Sequence, residues 1–329
     1  MRRSFNVMPS IVASTRRPDR QPPKAGLCRF RLDRSRRDGR QEAVPRRLFT
    51  LLALALLAAC DARGGGGRQD GVTLDLDKAK AGPAAPLPAV YGSRDPSRPL
   101  VVLDAGHGGH DPGALSPFGG RQEKDVTLAV ARAITDALAA SGRVRVAMTR
   151  EDDRFLVLRD RYEIARRMGA QLFVSIHADA APAGDSARGA TIYTLSEVAS
   201  DREAAQLAET QNGADAVAGA PAGAGAGVNR ILIDLAQRES MEISADFASL
   251  LKREASAYFP FRPDYHRFAS LVVLKAPDVP SILFETGYLT NPADAAYIDS
   301  AEGRRQIAAG MRSAIETHFA RRRYGVGTR

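Results

Sequence analysis

The chain has 329 residues, enough for one or two domains, and 44% of them are hydrophobic, enough to build a core. A net charge of +9 suggests a nucleic-acid partner, but 14 of the 47 Lys+Arg and only 4 of the 38 Asp+Glu lie in the first 60 residues. The remaining 33 basic and 34 acidic residues nearly cancel, so the folded part has no basic excess, and nucleic-acid binding is discounted.

Residues 1–43 are Arg-rich, with scattered prolines and no hydrophobic period. They read as a disordered basic arm, or as a stretch upstream of a true start near Val44. Residues 44–60 are different. In "RRLFTLLALALLAAC" two arginines precede an apolar run from Leu48 to Ala59. A run of about a dozen residues is too short to span a bilayer and suits the core of a signal peptide. Its end, Leu57-Ala58-Ala59-Cys60, resembles a bacterial lipobox, in which Cys60 becomes the lipidated first residue of the mature chain. An ordinary signal peptide cut at small residues is the alternative. The lipobox implies export to the periplasm and a lipid anchor in a membrane. The only cysteines are Cys28 and Cys60, so a mature chain beginning at Cys60 has no disulfide framework. Residues 61–98, with Gly64–Gly67 and several prolines, read as a flexible tether.

A domain is expected over 99–322. Strand signals lie at Leu100–Asp104, Val144–Met148, Leu172–Ile176, Ala190–Leu195, Leu271–Leu274 and Ser281–Phe284. "EKDVTLAVARAITDALAAS" spaces Val126, Val130, Ile134 and Leu138 as a helix does, and Gly142 closes it. "FLVLRDRYEIARRMGA" and "RRQIAAGMRSAIETHFARR" read as helices too. The alternation predicts a single α/β domain: a twisted, mostly parallel sheet flanked by helices on both faces.

Chemistry concentrates at strand ends. In "VVLDAGHGGHDPGA" a buried strand runs into glycines that stop it, leaving His107 on a loop beyond the strand's carboxyl end, where α/β folds build sites. His177 ends "LFVSIHAD" in the same way. Glu123 opens the first helix, where the helix dipole favours a carboxylate whether or not it has another role. Glu285 ends the strand in "SILFETGYLTNP"; a structural partner such as Arg150 is its alternative reading. A catalytic zinc needs three such ligands and an open position for water.

Taken together, "LDAGHGGHDPGA", "EKDVTLAVA", "MTREDDRFLVLRDRYEIARRMGAQLFVSIHADA" and "VLKAPDVPSILFETGYLTNP" resemble the zinc-dependent N-acetylmuramoyl-L-alanine amidases, in the branch that acts in cell division. That resemblance implies a peptidoglycan substrate, Zn2+ as cofactor, His107, Glu123 and His177 as metal ligands, and Glu285 as the catalytic carboxylate. Asp179 would orient His177 or occupy the metal's open position; a solvated loop acid is its alternative. His110 is a rival ligand within the opening motif. An inert peptidoglycan-binding lipoprotein and a muropeptide-recycling amidase are the competing functions.

Residues 196–266 read as a helical insertion hinged on the Gly/Ala run 219–227, rather than as core. The insertion resembles a regulatory segment whose helix covers the zinc until an activator protein withdraws it; a packing hairpin is the alternative. Relatives show Glu-Asn where this chain has Gln211-Asn212, so Glu209 and Glu203 enter as substitute plugs beside Gln211.

Overall fold

The computed structural model describes residues 86–181, 187–217 and 230–323. Residues 1–85, with the basic arm, the signal segment, Cys60 and most of the expected tether, lie outside the described residues.

The described residues form a seven-stranded, mostly parallel sheet in the order β1-β3-β2-β4-β7-β5-β6. Its strands are β1 (Tyr91–Gly92), β2 (Leu100–Ala105), β3 (Arg145–Met148), β4 (Leu172–His177), β5 (Ala190–Leu195), β6 (Phe261–Ala269) and β7 (Ser281–Glu285). β2, β3, β4 and β7 run parallel; β1 is antiparallel to β3, and β5 to β7. Every residue of β2, β4 and β7 is buried, as befits central strands covered on both faces.

Alternation along the strands divides the core in two. Val101, Leu103, Val174, Ile282 and Phe284 face α1 (Glu123–Ser141), α5 (Arg230–Ala255) and α7 (Ala301–Arg323). Val102, Phe173, Tyr193 and Leu283 face α2 (Leu158–Arg167) and α3 (Arg202–Asn212). The short α4 (Ala214–Val217) follows α3, and α6 (Pro292–Asp299) precedes α7. In α1, Val126, Val130, Ile134 and Leu138 form the buried stripe that their four-residue spacing dictates, and Gly142 ends the helix at φ 63°.

Three expectations are corrected. Leu271–Leu274 is not a strand: Val272–Leu274 is a turn of 3-10 helix whose Leu271, Val273 and Leu274 fill the second core cluster. A short apolar run predicts burial, but its period does not separate strand from turn. The expected tether gives way to structure before its end, since Tyr91 and Gly92 pair with Val146 and Arg145. Finally, the segment 196–266 does not stand apart from the core. Phe247, Ala248, Leu251 and Ala255 of α5 are buried in the larger cluster, and β6 belongs to the sheet. β6 escapes a sequence reading because "FRPDYHRFA" carries a proline and charges, which an edge strand tolerates.

Candidate metal centre and active site

The site lies at the carboxyl edge of the sheet, on the face that carries α2 and α3. β2 leaves the sheet at Ala105, and the chain turns through Gly106 and His107. His107 has φ 61°, the sole positive φ of a non-glycine residue among those described. Such a backbone is strained and persists only when its surroundings hold it. Two buried guanidinium groups do so. Arg161 donates to the carbonyls of Ala105 (2.9 Å) and His107 (2.8 Å), and Arg150 to those of Ala105 (2.9 Å) and Gly106 (2.7 Å). Arg161 is paired with fully buried Asp104 at 3.0 Å, and Asp104 also accepts from Thr149 and Ser175. Arg150 is therefore committed to loop carbonyls, and the alternative that it pairs with Glu285 does not hold.

The loop brings His107 to Glu123 and His177. One donor atom from each residue lies within 4.8 Å of the others, and all three residues are buried. Glu123 reaches both rings: Oε2 is 3.1 Å from His107 Nε2, and Oε1 is 3.1 Å from His177 Nδ1. Its oxygens also accept from the amides of Ala114 (2.8 Å) and Ala178 (2.9 Å), so the carboxylate cannot rotate away. His107 Nδ1 is 2.9 Å from Asp111 Oδ2, which leaves Nε2 turned inward, buried and facing the Glu123 carboxylate. Burial by itself would lower the His107 pKa; the Glu123 charge and the Asp111 bond override it and raise the value to about 10. Glycine is required where the ligands crowd the chain. A Cβ on Gly106 would lie 2.4 Å from the His177 ring, and one on Gly113 2.6 Å from His107 and 2.7 Å from Glu123.

Two imidazoles and one carboxylate converging in a buried pocket form a donor set that suits a divalent metal such as zinc. The inward Nε2 of His107, beside the Glu123 carboxylate, and the Asp111 carboxylate behind the ring at Nδ1 are what a metal-binding imidazole requires.

Glu285 sits beside His177, paired with it in register across β4 and β7. Its Oε2 accepts from the amide of Asp179 at 3.0 Å, while Oε1 is buried without a partner. Burial, reinforced by the charges of Asp179 and Glu123, pushes its pKa well above the ordinary carboxylate value. Burial and the Glu123 charge likewise raise Asp179 to about 7. Asp179 Oδ1 accepts from the amide of Ala180; the carboxylate engaged with a cluster histidine is Asp111, at His107. His110 is exposed and packs on Phe155, away from the cluster.

Helix α3 covers the site. Gln211, 5% exposed, lines a cavity of about 10 Å³ together with His107, Asp111, Arg161 and His177, which is room for about one water. Glu209 points to solvent. Glu203 lies at the other end of the helix, bound to Arg262 and Arg267. The helix is pinned at its carboxyl end: Asn212 donates to Ser270 O and accepts from Val272 N, both at 2.8 Å, and Asp215 accepts from Leu158 N at the start of α2. Asp104, Asp111, Arg150 and Arg161 escaped the sequence reading as site residues. Asp111, four residues past a candidate ligand, was the one with a usable signal.

A family model described as N-acetylmuramoyl-L-alanine amidase matches residues 101–317. The chain is 41% identical over 227 residues to the N-acetylmuramoyl-L-alanine amidase AmiC of Neisseria meningitidis serogroup B, covering 69% of this chain and 54% of that protein. It is 34% identical over 249 residues to the AmiC of Escherichia coli O6:H1, covering 75% and 58%. It thus spans little more than half the length of either relative. Among solved structures, the catalytic domain of CwlV, an N-acetylmuramoyl-L-alanine amidase from Bacillus (Paenibacillus) polymyxa var. colistinus, is similar with a TM-score of 0.50 and 25% identity, covering 68% of this chain and 98% of that one.

Proposed function

The chain belongs to the N-acetylmuramoyl-L-alanine amidase family, and from that premise we propose that it hydrolyses the amide between N-acetylmuramic acid and L-alanine in peptidoglycan, for wall remodelling and daughter-cell separation. The observation that carries the reading is the convergence of His107, Glu123 and His177 beside the buried carboxyl of Glu285. His107, Glu123 and His177 would hold a zinc ion. Bound there, zinc supplies Lewis-acid polarisation of the scissile carbonyl and acidifies a water.

The remaining work belongs to the protein. Asp111 fixes the tautomer and tilt of His107. The Asp179 amide orients Glu285 through Oε2 and leaves Oε1 to accept the water's proton and pass it to the departing amine. The raised pKa of Glu285 brings its carboxyl nearer to working pH for that exchange. Gln211 of α3 shares a small cavity with His107 and His177, so α3 would act as a plug that an activator protein withdraws. Cys60 would carry the lipid that anchors the enzyme to a membrane in the periplasm; loss of lipid labelling in Cys60→Ser checks this. No helix among the described residues is long and apolar enough to cross a membrane.

Clearing of purified sacculi tests the reading. Clearing that a chelator stops and zinc restores is expected. With the domain freed of residues 200–227, binding without clearing, or clearing indifferent to the chelator, contradicts it.

A further inference from the structure

Beyond the metal cluster, the same face of the sheet carries a second charged constellation. Arg262 and Arg267 both project from edge strand β6. Arg267 is 5% exposed, and in register it stands opposite Tyr193 of β5. Between the two guanidinium groups lies the carboxylate of Glu203, from the first turn of α3. Its Oε1 is 2.6 Å from Arg262 Nη1, its Oε2 is 2.8 Å from Arg267 Nη1, and the Tyr288 hydroxyl donates to Oε1 at 3.1 Å. Each carboxylate oxygen thus has its own arginine, and one has a phenol as well. That is the donor arrangement a carboxylate binds best.

Most of the anions that balance this pair do not belong to it. Asp264 does: it lies on β6 itself, 2.6 Å from Arg267 and 3.2 Å from Arg262, and is half exposed. Glu203 and Asp201, the latter 3.5 Å from Arg267, both come from the start of α3. If α3 leaves the site, the two guanidinium groups keep a single carboxylate, Asp264, between them. Two guanidinium groups left with one carboxylate carry a net positive charge, so the emptied cradle attracts another anion.

The cradle is also placed for substrate. Tyr288 lies three residues past Glu285, and its hydroxyl oxygen accepts from Arg262. β6 is two strands from β7, roughly 10 Å at ordinary strand spacing, which is about three residues of extended peptide.

We infer that Arg262, Arg267 and Tyr288 form a subsite for a carboxylate on the peptide half of the substrate, a few residues from the scissile amide, and that Glu203 fills it as an internal mimic while α3 is closed. The inference rests on the amidase reading for its choice of peptide. The peptide half then runs toward β5 and β6, and helix and substrate compete for one set of donors, so each weakens the binding of the other.

The test uses the full chain loaded with zinc. Binding of N-acetyl-L-alanyl-D-glutamate, and of the same dipeptide with both carboxyl groups amidated, is measured by calorimetry on the wild type, Glu203→Ala, Glu203→Gln and Glu203→Ala/Arg262→Gln. Loss of a competing carboxylate should tighten binding of the acid roughly tenfold or more, about the worth of one charge-assisted hydrogen bond. The amidated dipeptide should show no gain, and Arg262→Gln should abolish the gain in the acid. Equal tightening for the amidated form, or a gain that survives Arg262→Gln, overturns the subsite. The binding pattern does not depend on turnover. If it holds while sacculi remain intact, the amidase reading fails and the subsite stands; if sacculi are digested and the pattern is absent, the subsite alone fails.

Discussion

His177 and Glu285 stand side by side, paired in register where parallel strands β4 and β7 leave the sheet together. One offers an imidazole to the cluster and the other a buried carboxyl with one free oxygen. Their roles can be separated. His177→Ala is expected to lose both zinc and activity. Glu285→Gln is expected to keep zinc and to lose turnover by roughly 10²- to 10⁴-fold, since the amide cannot accept a proton. Metal analysis beside turnover checks both; loss of zinc from Glu285→Gln would make Glu285 a ligand.

Asp111 is bonded to His107 at 2.9 Å and would act through it on a bound metal. Asp111→Ala should weaken zinc affinity roughly 10- to 100-fold while leaving the fold intact. Competition with a chromogenic chelator reads the change. Unaltered affinity would mean that Asp111 merely shapes its loop, where it also accepts from Gly113.

Gln211 shares a small cavity with His107 and His177, and the proposed plug would rest on it. A neutral amide is a poorer ligand for a divalent cation than a carboxylate, so the closed state should leak. Gln211→Glu should lower basal sacculus digestion several-fold, and removal of residues 200–227 should raise it. If neither change alters the rate, α3 is packing.

Much of this was legible in the sequence, and the reasons for the rest are local. His107, Glu123 and His177 converge as expected because strand ends and a helix start are where a parallel sheet gathers side chains. Glu285 had the same signal. By contrast, α6 was missed although Asn291 caps it and Pro292 opens it, a legible pairing. The arginine scaffold under His107 was illegible for a different reason. Arg150 and Arg161 look like surface charges in "TREDDRFLVLRDRYEIARR", and only the fold shows that they are buried among loop carbonyls. Gln211 could be flagged by its position, but not its burial.

His318 offers a stability test remote from the metal. Its ring packs between Phe247 and Phe319, and its Nε2 is buried without a partner. Burial, together with the charge of Arg322 and against that of Asp246, lowers its pKa to about 4. The unfolded chain takes up this proton near pH 6.5 and the folded one does not. Stability is therefore unaffected above that pH and falls as pH drops through 6.5 toward 4, by about 2 kcal/mol at pH 5. Thermal unfolding of wild type and His318→Phe at pH 7.5 and 5 checks this. The variant should lose less melting temperature on acidification, and an equal loss in both would remove His318 as the cause.

The proposed site of His107, Glu123 and His177, with Glu285, would cut one particular bond, the amide between N-acetylmuramic acid and L-alanine. Mass spectrometry of sacculi digested by the mature domain lacking residues 200–227 tests it most directly. The account requires released stem peptides with a free N-terminal L-alanine, glycan strands of unbroken sugar linkage, and neither product with chelator or with Glu285→Gln. Broken sugar linkages, cuts within the peptide, or the same products from Glu285→Gln would contradict it.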